Sequence, residues 1–199
     1  MCPRGIRLSG TLLALVLAAG PAVAAPASYV FGKDVRTSYK VVHPLHTSIG
    51  LSDQLLGTIR VLDASQAILE LPLRLRMPVR SFRSGNRSRD RNMALVMQAE
   101  RHPMVDLVID SVTWSERRAT PDGLILVGEA TGKLQVRGVT QSVRIALEGR
   151  LRPDLLTVRA NFPISLDAHG VERPSLMLRP VDDEVLLSVE ATATVLSPS

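Results

Sequence analysis

Apolar and polar residues alternate along most of this chain, and a period of two is typical of β-strands with one buried face. The clearest run spans residues 69–79, where the odd positions are apolar and Glu70, Arg74 and Arg76 lie between them. The same alternation recurs at residues 105–109, 124–136, 143–147, 156–164 and 185–195, with shorter runs at 29–31, 39–41, 49–51 and 59–61. The pattern predicts an all-β domain whose strands each bury one apolar face.

Residue pairs that favour chain reversal separate these runs. They are Asp122-Gly123, Arg137-Gly138, Pro153-Asp154, His169-Gly170 and Asp182-Asp183. Short connections of this kind join consecutive strands in antiparallel pairs. About eight such strands favour an antiparallel up-and-down barrel, because closing the sheet removes its exposed edges, and a sandwich is the alternative.

One segment, between Ser88 and Pro103, departs from the alternation. Met93, Val96 and Met97 lie there at helical spacing, which predicts a short helix near residues 90–100 with Asp90 as its cap. Pro103 then returns the chain to an extended conformation. A helix this short is marginal alone, so we expect its apolar stripe to lie across a mouth of the barrel.

The first 25 residues have the pattern of a secretory signal peptide. Arg4 and Arg7 precede an apolar run at residues 11–19, and Gly20-Pro21 and small residues around Ala24-Ala25 follow it. The run is shorter than the roughly 20 residues that a membrane-spanning helix needs. We therefore expect export to the periplasm and cleavage near Ala24-Ala25, leaving residues 26–199 as one domain; an uncleaved anchor is the alternative.

Charge and cysteine content narrow the function classes. The 24 basic residues exceed the 19 acidic ones, and aromatic residues make up only 3% of the chain. The arginines fall singly on alternate strand positions, as on a solvated outer face, which argues against nucleic-acid binding. Cys2 is the only cysteine and lies within the predicted signal peptide. The exported domain would therefore have no disulfide, thiolate metal site or thiol nucleophile.

Two ordered motifs resemble those of a known family. Ser84-Gly85-Asn86-Arg87-Ser88-Arg89-Asp90 precedes the predicted helix and the His102-Pro103 step, and the second motif runs from Gly132 to Val143 through Gly138-Val139-Thr140. Together with residues 39–43 they resemble the YceI-like family of exported, lipocalin-like barrels that bind polyisoprenoids or other long-chain amphiphiles inside. Asp34-Val35 and Pro163 depart from the usual family residues.

The resemblance implies that the barrel is hollow, whereas the alternation alone leaves a filled core equally open. Small residues at Gly128, Ala130, Gly132 and Ala160 on the inward face would leave volume for a ligand. The expected ligand-binding wall consists of Tyr39, Val41, Leu71, Leu73, Leu75, Leu107, Ile109, Leu126, Leu134, Ile145, Val158, Phe162 and Leu187. The expected structural motif residues are Arg89, Asp90, Pro103, Gly138 and Thr140.

Arg89 and Asp90 have two interpretations. They form a structural pair at the start of the helix, or the arginine meets an anionic lipid head group at the barrel mouth. Arg83, Arg87, Arg91 and Arg101 lie near them in sequence. Some of these would then steer an anion towards the mouth.

Candidate catalytic and metal-binding residues are few. His43 and His46 offer two imidazoles without a visible third ligand, and the acidic run 182–184 lacks the spacing of a calcium loop. We therefore expect no catalytic residue, no metal and no cofactor.

The sequence predicts a non-enzymatic binding protein that carries, stores or sequesters an isoprenoid or fatty amphiphile. Transient membrane contact is compatible with that function, and the oligomeric state stays open, with a homodimer as one option. The alternatives are an enzyme acting on a bound lipid and a stress or interaction protein with a filled core.

Overall fold

The computed structural model describes residues 26–176 and 179–196, so the predicted signal peptide lies outside the described residues. The strands are β1 (Ala27–His43), β2 (His46–Ser52), β3 (Thr58–Asp63), β4 (Ile68–Leu69), β5 (Leu73–Pro78), β6 (Met104–Thr120), β7 (Gly123–Val136), β8 (Val139–Leu151), β9 (Leu155–Ser165), β10 (Ser175–Leu176), β11 (Arg179–Pro180) and β12 (Glu184–Val195). The helix α1 spans Arg87–Val96, and short 3-10 turns lie at Val79–Ser81 and Asp167–His169.

Ten of these strands form one antiparallel, curled sheet. Its order is β4-β3-β1-β12-β9-β8-β7-β6-β5, and β2 pairs with β1 beside β3. Because β2 contacts the C-terminal half of β1 and β3 contacts its N-terminal half, β2 and β3 share one strand position. The predicted all-β antiparallel architecture with one short helix is confirmed.

Two isolated bridges join the ends of this sheet. Leu51 exchanges backbone hydrogen bonds of 2.9 and 2.7 Å with Arg83, and Leu56 exchanges two of 2.8 Å with Arg76 in β5. The Trp114 indole N–H adds a 3.0 Å bond to the carbonyl of Ala67, which ties the β3–β4 turn to β6. These contacts connect β5 to the β2–β3 position, so the curled sheet closes on itself there.

Charged residues cover the outer face of the sheet, as the alternation predicts. Glu148, Arg159, Glu190 and Arg36 are successive cross-strand neighbours on β8, β9, β12 and β1. Opposite charges side by side on neighbouring strands stabilise the pairing modestly, and water keeps each contribution small. This part of the sheet is a solvated face.

Strand β2 differs from its neighbours because its serine side chains face the interior and its apolar side chains face solvent. Ser48 and Ser52 are buried, whereas Ile49 is 50% exposed and Leu51 also faces outward. The Tyr39 ring lies where a side chain at position 50 would extend, so only glycine fits opposite it. The Ser52 hydroxyl lies 2.6 Å from the Ser81 hydroxyl and is thereby satisfied inside. The alternation at Ile49 and Leu51 therefore predicts the strand correctly, but these two residues do not lie on its buried face.

The cap of α1 differs from the expected residue. Asn86 is the cap, and its side-chain oxygen accepts hydrogen bonds from the backbone N–H groups of Ser88 and Arg89. Asp90 instead accepts from the backbone N–H and the hydroxyl of Ser84 at 2.8 and 2.6 Å. The prediction that Asp90 caps the helix is wrong, because the helix begins at Arg87, about one turn before Asp90.

Among the described residues, no helix is long and apolar enough to cross a membrane.

Candidate functional site

A cavity of about 440 Å³ lies inside one end of the barrel, beneath α1. Its wall is built from the ends of β1, β5, β7 and β9, the starts of β2, β6 and β12, and the segment that follows β9. The apolar lining residues are Tyr39, Val41, Met77, Val79, Phe82, Met93, Val96, Met97, Val105, Val136, Ile164, Leu166, Val171, Pro174, Val181, Val185 and Leu187. The cavity is thus a mostly apolar pocket of the size that small-molecule sites usually have.

Helix α1 forms the roof of this cavity. Met93, Val96 and Met97, the residues at helical spacing, all line it, so the expected position of the helix at a barrel mouth is confirmed. Asn92 on the same helix is exposed and also lines the cavity. His46 and Ser175 share both properties, and these three residues therefore mark the opening to solvent.

Only three of the thirteen predicted wall residues lie on the cavity, namely Tyr39, Val41 and Leu187. Seven others are buried against one another in the other half of the barrel: Leu73, Leu107, Ile109, Leu126, Leu134, Ile145 and Phe162. Leu71 is 38% exposed, while Leu75 and Val158 are half-buried at the edge of the core. The structure thus divides the predicted wall into a hollow half and a filled half.

The small residues on β7 allow the backbone of β6 to approach closely, and they do not enlarge the cavity. A Cβ atom at Gly132 would collide with the backbone of Val108, and one at Gly128 would collide with the Thr113 carbonyl. The pairing of β6 with β7 shifts register beside both glycines, which brings the two backbones together. Ala130 and Ala160 are buried in the core and lie off the cavity wall. The expectation that these four residues make room for a ligand is wrong.

His43 lines the cavity, and both of its ring nitrogens are engaged. The backbone N–H of Leu45 donates to Nδ1 at 3.1 Å, so Nε2 carries the proton and donates to the Arg179 carbonyl at 3.0 Å. The exposed His46 ring lies 5.1 Å from it, centroid to centroid. This hydrogen bonding fixes the neutral tautomer of His43 and leaves it no lone pair for a metal ion. Among the described residues, no three His, Cys, Asp or Glu side chains are grouped as metal ligands.

His169, which the sequence placed in a turn, is a polar residue of the cavity lining. It is 2% exposed, its Nδ1 donates to the Ser165 carbonyl at 2.8 Å, and its Nε2 has no hydrogen-bond partner in the part of the chain that the structure describes. With the proton on Nδ1, Nε2 is a buried acceptor without a donor. A buried acceptor of this kind is costly unless a ligand or a water molecule supplies a donor.

Arg89 and Asp90 point to different partners. Asp90 is bound to Ser84, as described above, while Arg89 lines the cavity and forms no ion pair within residues 26–176 and 179–196. Burial raises the pKa of the nearby Tyr39 phenol, the Asp90 carboxylate raises it further, and Arg89 opposes the rise. The Tyr39 ring also lies 5.4 Å from that of Phe82, centroid to centroid. The structure therefore leaves the Arg89 guanidinium available at the cavity.

The remaining motif residues lie at the same end of the barrel. Gly138 has a φ of +79° in the β7–β8 turn, and a Cβ there would lie only 2.8 Å from the His102 ring. The Pro103 carbonyl accepts a 2.9 Å bond from the N–H of Val79, and Thr140 is exposed on β8. The His102-Pro103 step thus lies against the Gly138 turn, and the two sequence motifs meet in space.

Comparisons with known proteins agree with this architecture. A family model described as YceI-like domain matches residues 34–193. No curated protein sequence matches the chain. The structure is similar to Burkholderia cenocepacia BcnA, with a TM-score of 0.66 and 18% identity over 80% of this chain and 96% of that one.

Two further solved structures are similar. A polyisoprenoid binding domain from Saccharophagus degradans has a TM-score of 0.66 and 11% identity over 85% of this chain and 99% of that one. A Campylobacter jejuni YCEI protein has a TM-score of 0.59 and 15% identity over 75% of this chain and 85% of that one. At these identities the structural similarity establishes the shared fold.

Proposed function

The chain belongs to the YceI-like domain family, and from this membership and the cavity we propose that it is a binding protein for a long-chain lipid. The chain of an isoprenoid or fatty amphiphile occupies the hollow half, and the protein carries, stores or sequesters it. The observation that carries the proposal is the apolar cavity beneath α1. One of the similar structures is described as a polyisoprenoid binding domain, which supports a ligand of this class.

The cavity volume suggests how much of the lipid is enclosed. An apolar cavity of about 150 Å³ accommodates one benzene molecule, so the 440 Å³ here corresponds to about 18 carbon atoms. Each methylene transferred from water into the cavity contributes about 0.8 kcal/mol. A longer polyisoprenoid would leave part of its chain outside the opening, or would displace α1.

The polar end of the lipid has two sets of partners in this cavity. Arg89 and the exposed Asn92 offer donors near the opening, where an anionic head group would keep part of its hydration. His169 offers a buried acceptor instead, which suits a hydroxyl group. We favour the head group at the opening, because a charged group buried without a partner is costly.

Binding, rather than catalysis, is the function that these side chains support. His43 is held by two backbone groups, and the other lining residues are predominantly aliphatic or aromatic. An enzyme acting on the lipid remains the alternative. Incubation with lipids of several classes, followed by mass spectrometry, distinguishes the two functions because only an enzyme changes the mass of the lipid.

Export is part of the proposal and rests on the first 25 residues. Cleavage near Ala24-Ala25 would release residues 26–199 into the periplasm. N-terminal sequencing of protein recovered from the producing cell tests this, and a chain that keeps Arg4 and Arg7 in the membrane fraction would contradict it.

Native mass spectrometry of protein purified from its own host tests lipid binding directly. We expect a retained lipid in the unmodified protein and at least tenfold less in the Val41→Trp variant, since the larger side chain fills part of the cavity. Lys133→Glu on the outer face of β7 is the control and should retain the lipid. Absence of lipid in every folded sample, or equal retention in Val41→Trp, would contradict the proposal.

A further inference from the structure

Positive charge is concentrated in one segment, residues 80–101. This segment holds six arginines and two carboxylates, whereas the rest of residues 26–199 holds 16 basic and 17 acidic side chains. The excess of basic over acidic residues in the domain therefore lies entirely within the segment that begins in the 3-10 turn after β5 and includes α1. The expectation of evenly scattered arginines fails here, although it holds on the outer face of the sheet.

The two carboxylates of the segment neutralise little of this charge. Asp90 is bound to Ser84, and Glu100 lies 3.6 Å from Arg80 in an exposed pair. Within the described residues, no carboxylate lies at ion-pair distance from Arg87, Arg91 or Arg101, and all three are exposed. The segment thus presents uncompensated cations to solvent.

The outer side of α1 adds an apolar residue to these cations. Arg87, Arg91 and Leu95 follow one another at intervals of four and are all exposed, so they lie along one side of the helix. Leu95 is 68% exposed, and Leu45 in the β1–β2 turn at the same mouth is 59% exposed. Cations beside an exposed leucine are the features with which an interfacial helix binds anionic lipid.

This charged side adjoins the opening of the cavity. Asn92 follows Arg91 on α1 and lines the cavity while being exposed. A surface that contacts α1 therefore also faces the opening. A lipid could then pass between that surface and the cavity with little exposure to water.

We propose that α1 and its flanking arginines dock the protein on the surface of an anionic lipid bilayer, with the cavity opening turned towards it. A bilayer fits better than a nucleic acid, because bases stack on exposed aromatic side chains and the only aromatic residue of the segment, Phe82, is buried. The docking surface consists of Arg87, Arg91, Leu95 and Arg101. Docking does not require an occupied cavity, so it goes beyond the proposed lipid binding.

Co-sedimentation with vesicles tests the docking. We expect the domain to bind vesicles of phosphatidylcholine with phosphatidylglycerol, to bind pure phosphatidylcholine much more weakly, and to lose binding as salt is added. The double change Arg87→Gln and Arg91→Gln should reduce partitioning roughly 30-fold, and Leu95→Ser a few-fold. Arg36→Gln with Arg150→Gln removes the same charge from the outer face and should change partitioning less than about twofold.

Three results would overturn the proposal: equal binding to both kinds of vesicle, an equal loss in the control variant, or a single-stranded oligonucleotide that binds more tightly than the anionic vesicles. The Val41→Trp variant separates docking from lipid retention. It should still bind the vesicles while retaining at least tenfold less lipid, so a failure of either function is recognised independently of the other.

Discussion

The filled half and the hollow half of this barrel are built by the same strands, yet they differ in what occupies the interior. Strand β1 begins at the filled end, where Tyr29 donates a 2.9 Å hydrogen bond to the Arg152 carbonyl, and it ends at His43 on the cavity wall. At mid-barrel Leu134 is 0% exposed. Beyond it, the pairing of β8 with β9 stops at Ala146 and Asn161, and α1 lies across the interior.

The difference lies in what faces each inward side chain. In the filled half, buried Leu, Ile and Phe residues from several strands belong to one hydrophobic core. In the hollow half, the opposite partner is a helix whose lining residues include Met93 and Met97. Methionine is flexible and adapts to irregular space, so this roof suits ligands of variable shape.

The largest expected effect comes from truncating one residue in each half. Phe162→Ala should lower the free energy of unfolding by about 3–5 kcal/mol, because it leaves a void among well-packed neighbours. Met97→Ala should cost only about 1 kcal/mol, since this side chain already borders empty space. Equilibrium denaturant unfolding of both variants measures the contrast. Similar losses in the two variants would mean that the halves are equally filled.

The glycines of the filled half provide a second, smaller contrast. Gly132→Ala should cost about 1–3 kcal/mol, because the added methyl group meets the backbone of β6. The matched control is Gly32→Ala, where the methyl group meets nothing within 4 Å. That variant should be neutral or slightly more stable, because alanine loses less backbone entropy on folding. Thermal unfolding of both variants measures the contrast. A Gly132→Ala variant as stable as Gly32→Ala would show that Gly132 does not lie against the backbone of β6.

Removing the cap of α1 tests whether the roof is less stable than the barrel. Asn86→Ala should cost about 1 kcal/mol, as the N–H groups of Ser88 and Arg89 lose their acceptor. Amide hydrogen exchange should accelerate in α1 while β7 and β9 stay protected. Ser88→Ala, which removes an exposed hydroxyl, is the control. Uniform acceleration throughout the barrel would show that roof and barrel unfold together.

The smallest expected effect concerns acid stability at the rim of the hollow half. Asp183 accepts a 2.7 Å bond from the backbone N–H of Asp167, and this bond, with help from Ser165, lowers the pKa of its carboxyl. Ionised Asp183 therefore contributes stability above about pH 5, and this contribution is lost as the pH falls through the folded-state pKa.

Asp183→Asn should accordingly be less stable than the unmodified protein near neutral pH. The difference in stability between the two proteins should disappear on acidification to about pH 2, where both side chains are uncharged. Thermal unfolding across this range measures it. A gap that stays constant with pH would show that the carboxylate charge contributes nothing to folding.

Several features of the molecule were predictable from local pattern. The alternation identified the long strands and their antiparallel order, and helical spacing placed Met93, Val96 and Met97 on one side of a helix over the mouth. These predictions succeed because secondary structure brings near neighbours in sequence to one side of an element. The family motifs at Asn86 and Gly138 were visible for the same reason, since caps and turns depend on a few adjacent residues.

Other features were decided only when distant segments met. Strand β2 turned its serines inward, on the face where the Tyr39 ring occupies the space beside Gly50. Arg89 lines the cavity while Arg87 and Arg91 face solvent, because α1 lies across the mouth of the barrel. His169 became a cavity residue because the segment after β9 folds over the mouth.

The sequence by itself thus determined the strands, their order, the helix and the inward side of most strands, since each depends on residues close together in the chain. The tertiary structure alone decided which inward residues border a cavity. Leu187 and Phe162 lie on opposite sides of this division, although they are paired across β12 and β9 and both point inward. Whether such a side chain meets a neighbour or empty space depends on the elements across the barrel, which alternation along one strand does not specify.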